Sequence, residues 1–516
     1  MLNFTPLARP YFKALAARRG RSADARGLEE TQRRVLAALL RSASRTEIGR
    51  TCGFASMDSY ADYASVVPMV QYEDIRPQVE RMIAGESDVL WRGKTRRYAQ
   101  SSGTSGGKSK YIPVTDDSLR LNHYRGGAES VASYLSLYPD SRMFAGKGLI
   151  LGGSFANEVK GLPAGVKVGD LSANLIDAIN PLANFFRVPS KEVALMSDWT
   201  GKLPALVRAS ASCDITNISG VPSWFLTVLR SVVESRGADT IHDVWPNLEV
   251  FFHGGISFAP YRSQYESITD SSKMRYIENY NASEGFFAVQ DTRDAAAGML
   301  LLADAGVFYE FVPFDAGSGI AGEPVPAWEV EEGKVYELII TASNGLWRYS
   351  PGDTVRIEST QPLRISIAGR TNSYINTFGE EVMVWNTDAA LAEACRRTGA
   401  HAANYTAAPV YTEGQAKGHH QWLVEWDVAP ACGNEAFADI LDRELQRVNS
   451  DYQAKRSGDI FLGRLELLEV PAGTFDRWLA STGRLGGQRK VPRLFNDRHI
   501  VDPIIRMCGI KENTNS

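Results

Sequence analysis

The chain is short of cysteine, of long apolar runs and of any excess of one charge, and each shortage removes a class of protein. Its five cysteines, Cys52, Cys213, Cys395, Cys432 and Cys508, are scattered over 516 residues without a Cys-x-x-Cys pair. That spacing disfavours a disulfide framework and a structural zinc site, and it suits a reducing cytoplasm. No stretch approaches the roughly 18 consecutive apolar residues of a membrane helix. Fifty-six basic residues stand against 60 acidic ones, a formal net charge of −4 spread along the chain, so neither nucleic acid nor an anionic membrane is expected as a partner. The basic N-terminus, "MLNFTPLARPYFKALAARRGRS", lacks the apolar core of a secretory signal and is expected to form a surface helix. Small-molecule partners, a monomer and a cytoplasmic location are the expectations that remain.

What is present is an ordinary globular composition, 44% hydrophobic and 22% charged, in a chain too long for one compact core. Val35, Leu36, Leu39 and Leu40 recur at helical spacing and predict an amphipathic helix. From about residue 147, short apolar runs closed by glycine or polar turns ("GLILGGS", "ITNISG", "LEVFFHGG", "MRYIENYNASEG") alternate with helix-length stretches such as "SWFLTVLRSVVESRG". That alternation predicts an α/β sheet buried on both faces. A section that reads as antiparallel strands follows, through "VFYEFVPF", "VYELIITAS" and "TVRIEST". The fold expected is a large α/β N-terminal domain of mixed sheets flanked by helices, residues 1–373, plus a smaller α+β C-terminal domain, residues 374–516.

The stretch "SSGTSGGKSK", residues 101–110, has the composition of a phosphate-holding loop. Its Gly107-Lys108-Ser109 ends like a P-loop, but Ser102 occupies the position that needs glycine, and "KYIPVT" follows where a helix should begin. Glycines, hydroxyls and a lysine still suit an anion, and the flanking "RRYAQ" and "KYIPVT" predict a hairpin that carries the loop. Pro351-Gly352 before Asp353 reads alone as a turn, and Glu284 after a strand reads alone as a solvated residue.

Taken together these segments resemble a known family. "SSGTSGGKSKYIPVT" is similar to the first nucleotide-binding motif of the acyl-adenylate-forming superfamily, and in its SSGTS form it most resembles the Gretchen Hagen family of acyl-acid amido synthetases. "SRTEIGR", "VPMVQYEDIRPQVERMIAGESDVLW", "SGVPSW", "YNASEG", "LWRYSPGD", "GRTNSYINTFGEEV" and "VPAGTFDRWLASTGRLGGQRKVPR" continue the similarity in the family's order. The resemblance implies an adenylate-forming large domain and ATP with Mg²⁺. Ser101, Ser102, Gly103, Thr104, Ser105 and Lys108 would hold phosphates, with Ser102 catalytic. Tyr280 would lie against adenine, Asn281 and Ala282 would contact the nucleotide, Ser283 would approach the α-phosphate, and Glu284 would hold the metal. Asp353 would bind the ribose, Arg370 would contact the ribose or the phosphates, and Lys490 would carry charge to the reacting carboxylate. Arg348, in the same motif as Asp353, is expected to be structural. At the hinge, Asn372 replaces the acidic residue usual in the superfamily, which leaves the pivot residue open.

The chemistry implied is adenylation of a small carboxylic acid, then attack by the amine of an amino acid. An acyl-CoA or aryl-CoA ligase is the alternative enzyme, and a non-catalytic nucleotide- or hormone-binding module the alternative from another class. The acyl pocket is the least legible part: Tyr124, Trp224, Val221 and Arg142 are its candidates, with Arg97 a second choice for the acid's carboxylate.

Overall fold

The computed structural model describes residues 3–510 except 24, 102–108, 156, 158, 160, 256–257, 316–318, 321, 372, 376–379, 381, 412–417, 457–461 and 482–490. The helix α1 (Ala25–Ala43) buries Leu36, Leu39 and Leu40 against Phe54, Tyr63 and Trp347, as its apolar spacing predicts. The strands β1 (Arg97–Ser101) and β2 (Lys110–Pro113) pair antiparallel with Ser101 opposite Lys110, so the expected hairpin forms. Helix α2 (Tyr124–Leu137) then leads into the main sheet. Among the described residues no helix is long and apolar enough to cross a membrane, and the five cysteines are free thiols.

Inside a short parallel edge strand, Arg187–Val188, the main sheet runs through four parallel strands, β3 (Lys147–Ile150), β4 (Ile215–Gly220), β5 (Val250–Gly254) and β6 (Arg275–Asn281), adjacent in that order. They are apolar on both sides because both sides are covered. Phe251 faces helices α3 (Pro222–Arg236) and α4 (Arg262–Ile268) through Phe225 and Tyr265, while Phe252 faces Tyr134 of α2. This is the burial that a run such as "VFF" requires.

At the turn Ala282–Gly285 the chain reverses, and the sheet continues through β7 (Phe286–Val289) and β8 (Met299–Leu301). Strands β9 (Val307–Asp315), β10 (Val335–Ala342), β11 (Leu346–Tyr349), β12 (Asp353–Thr360) and β13 (Leu363–Arg370) complete it with antiparallel pairings. β12 and β13 bring Asp353 opposite Arg370, and Gly352 adopts the φ of 83° that the turn before Asp353 needs.

Arg348 is structural, as expected. It holds a φ of 43° and donates through Nη2 to Glu310 Oε1 at 2.8 Å and through Nη1 to the carbonyls of Ala64 and Val67. The two side chains are 6% and 1% exposed, so removing the carboxylate strands a buried guanidinium. Glu310→Ala is expected to lower unfolding stability by about 3–5 kcal/mol in urea titrations; a loss below about 1 kcal/mol would contradict this role.

The C-terminal region builds a second core. Helices α5 (Val384–Thr398) and α6 (Asn434–Val448) cover a sheet of β14 (His401–Tyr411), β15 (Gly418–Val428) and β16 (Glu466–Val470) around Tyr405, Trp422, Phe437 and Leu441. It touches the large sheet's helices where Arg230 pairs with Asp427 at 3.1 Å and where the Gln264 amide donates to the Ala402 carbonyl at 3.4 Å.

Candidate active site

Three separate segments converge at the C-terminal end of β6. Tyr280, the penultimate residue of that strand and 4% exposed, packs edge-on against Phe287 with ring centroids 5.0 Å apart. Its hydroxyl donates to Asp353 Oδ2 at 2.6 Å. Asp353 opens β12, and its Oδ1 accepts from Arg370 Nε at 2.9 Å; Arg370 Nη2 also donates to the Pro351 carbonyl. Tyrosine, aspartate and arginine thus form a continuous polar chain across the point where parallel strands give way to antiparallel ones. In open α/β sheets, ligands bind beyond the C-terminal ends of the parallel strands.

Glu284 lies in the turn that follows β6. It is 7% exposed, and its carbonyl accepts from the Asn344 amide at 3.0 Å. Among the described residues no side chain donates to its carboxylate. Burial pushes its pKa up, and the neighbouring Asp353 charge adds to this, while Arg370 and Lys110 oppose it. A buried carboxylate held above its usual range is suited to a further cation, and Mg²⁺ commonly binds through one or two protein carboxylates together with substrate phosphates. Among the described residues no group of three or more His, Cys, Asp or Glu forms a metal cage of its own. Asp353 raises the pKa of Arg370 by its negative charge, the largest influence on that guanidinium.

Lys110 joins this cluster, and sequence reasoning passed over it in favour of Lys108. It begins β2, and its charge is felt by Glu284, Arg370 and Asp353; burial pushes its pKa down. One signal was available: the second lysine of "KSK" opens the strand-like "KYIPVT", next to the glycine-rich stretch.

Other expected residues fall in several places. Ser102, Gly103, Thr104, Ser105, Lys108 and Lys490 lie outside the described residues, as does Asn372. Ser101 ends β1, while Asn281, Ala282 and Ser283 occupy the end of β6 and its turn. Val221 and Trp224 stand at the start of α3, directly after β4, on the same edge of the sheet as Tyr280. Tyr124 is tied down by its hydroxyl, which donates to the Leu175 carbonyl at 2.8 Å, and burial pushes its pKa up to about 12. Arg142 does not join the cluster: it is exposed, and its backbone N–H donates to Glu249, the residue before β5, at the opposite end of the parallel strands. Arg97 pairs with Asp116 at 3.2 Å.

Comparison with known proteins shows the family. The GH3 family N-terminal domain matches residues 22–274, the GH3 family central domain 300–370 and the GH3 family C-terminal domain 386–499. Among curated relatives, the chain is 25% identical to indole-3-acetic acid-amido synthetase GH3.8 of Oryza sativa subsp. indica, over 92% of this chain and 89% of that one. It is 23% identical to indole-3-acetic acid-amido synthetase GH3.4 of Arabidopsis thaliana, over 91% and 89%. Among solved structures, the AtGH3.15 acyl acid amido synthetase in complex with 2,4-DB superposes with a TM-score of 0.76 at 18% identity, covering 98% of this chain and 97% of that one. A 2-hydroxyisobutyryl-CoA ligase in the postadenylation state gives a TM-score of 0.61 at 13% identity, covering 96% and 94%, which marks a shared fold. With three domain matches that together span most of its length, the chain belongs to the GH3 family.

Proposed function

We propose that the protein is an ATP-dependent acyl-acid amido synthetase that adenylates a small carboxylic acid and then joins it to an amino acid. The observation that carries this reading is the Tyr280–Asp353–Arg370 chain beside the buried Glu284, in a member of a family whose curated relatives are named for that activity.

A carboxylate is a poor electrophile because its leaving group would be oxide. In the first step its oxygen attacks the α-phosphorus of ATP, the bond to the β-phosphate breaks, and pyrophosphate leaves. Arg370 and Asp353 hold the ribose, whose hydroxyls donate to the Asp353 carboxylate. Tyr280 keeps that carboxylate oriented and offers its ring to the adenine. Residues 101–105, Lys108 and Lys110 face the departing phosphates. Glu284 is the residue that would hold Mg²⁺, which, when bound, lowers the negative charge at the attacked phosphorus. Lys490 balances charge where carboxylate and α-phosphate meet. In the second step the amine attacks the acyl carbon, the bond to AMP breaks and the amine loses its proton. The region 374–516 moves against 1–373 between the steps, withdrawing Lys490. The enzyme acts as a monomer in the cytoplasm, on an acid of the auxin, jasmonate or benzoate type.

Acid-dependent ATP–pyrophosphate exchange over a panel of such acids, followed by amide analysis with each amino acid, tests the reading. Exchange with at least one acid and an amide product is the expected result. A thioester formed with CoA and no amide would replace it with a CoA ligase, and ATP binding without exchange would leave a binding module.

A further inference from the structure

The parallel strands carry a second polar group that the nucleotide chemistry does not use. In their register, Gly220 of β4 stands opposite His253 of β5, and His253 opposite Glu278 of β6. Two residues earlier on each strand, Phe251 and Tyr276 pack under α3 and α4 against Tyr265 and Phe258. The two-residue period of a strand therefore sends His253 and Glu278 to that same face. Tyr280, two residues beyond Glu278, shares it, roughly 7 Å nearer the edge of the sheet. Val221, which directly follows Gly220, and Trp224, in the first turn of α3, leave the strands at the same end.

Among the described residues neither the His253 Nδ1 nor the Glu278 carboxylate is hydrogen-bonded, and Glu278 is half-buried. His253 is 4% exposed, its ring stacks on Phe258 at 4.3 Å, and its Nδ1 is buried without a hydrogen bond. The backbone of Glu278 is satisfied by Gln290, yet among the described residues no side chain donates to its carboxylate. Arg262, which also lies over the rings of Phe258 and Tyr276, is the charge that acts on both groups. Burial pushes the His253 pKa down to about 3 and that of Glu278 up, so the imidazole is neutral and can accept a hydrogen bond. Buried polar groups are ordinarily paired, and an apolar ligand set against these two would leave them unpaired.

The geometry points to a specificity subsite at the inner end of the acyl-acid pocket, where Glu278 and His253 accept a hydrogen bond from an N–H or O–H on the part of the acid remote from its carboxylate. This rests on the proposed function, because it takes the acid's carboxylate to lie at the Ser283–Glu284 turn. It selects donor-bearing acids, such as hydroxyaryl or indolyl acids, over apolar ones of equal size.

The test is ATP–pyrophosphate exchange with matched acids: 4-hydroxyphenylacetate against phenylacetate, and indole-3-acetate against its 1-methyl derivative. Wild-type protein is expected to favour the donor-bearing member of a pair by at least about tenfold in kcat/KM. Glu278→Leu is expected to remove or reverse that preference while still exchanging with phenylacetate. If the leucine variant does not fold, Glu278→Gln, which keeps the volume and removes the charge, is expected to reduce the preference at least about threefold. Equal use of both members by wild type, or an unaltered preference in the folded variants, overturns the subsite. Absence of exchange with every acid sinks the proposed function and the subsite with it.

Discussion

Glu284→Gln protein is expected to be more heat-stable than wild type without ligands, and yet to lose acid-dependent ATP–pyrophosphate exchange by about a hundredfold or more. The two effects share one cause. Burial and the Asp353 charge raise the Glu284 pKa in the folded state. A carboxyl whose folded pKa is raised favours folding while it is protonated, below its unfolded pKa, and that contribution is lost as pH rises through the folded value. Ionisation of this buried carboxyl as pH rises through its raised folded pKa therefore weighs against the fold, and a bound cation would relieve it. Glutamine removes that cost together with the proposed metal ligand. Melting curves between about pH 5 and pH 8 are expected to fall more steeply for wild type than for the variant. Near-normal exchange in the variant would remove Glu284 from the metal site, and a lower melting temperature would mean that its carboxylate is stabilised in the fold.

The Lys490→Ala protein is expected to lose pyrophosphate release by about a hundredfold, while aminolysis of a supplied acyl-adenylate changes only a few-fold. An ammonium on a flexible stem suits the charge shared by carboxylate and α-phosphate in the first step, and an amine attacking a neutral acyl carbon has less need of it. Lys490 lies outside the described residues, but the chain just after it is pinned to the small domain. Arg493 stacks on Tyr405 with its guanidinium 4.3 Å from the ring centre, and it donates to the Tyr405 carbonyl at 2.9 Å and to Asn404. The Thr406 hydroxyl donates to the Pro492 carbonyl at 2.9 Å. The lysine is therefore carried by the domain proposed to move. Equal loss in both half-reactions would end the division of labour between the two domain arrangements.

Strand and helix alternation was legible because it depends on local periodicity. "VFFHGG" reads as a strand buried on both faces, and "LEETQRRVLAALL" reads as a helix with one apolar stripe. The hairpin that carries the phosphate loop was legible too, since "RRYAQ" and "KYIPVT" are short, strand-like and bracket a glycine-rich turn. The motif order supplied Tyr280, Glu284, Asp353 and Arg370 as members of one family pattern.

Which of those letters touch, and what they do to one another, depends on residues far apart in the chain. The sequence by itself determined the element types, the family and the residue types that adenylation needs, because these rest on spacing and on motif order. Only the tertiary structure decided that the Tyr280 hydroxyl holds Asp353, that Lys110 enters the cluster, and that Arg348 serves a buried pair with Glu310. It also decided that Arg142 sits at the far end of the strands and that His253 and Glu278 stand side by side on adjacent strands. Burial and the charge of a neighbour set these roles, and both are properties of the packed sheet that no local window of sequence contains.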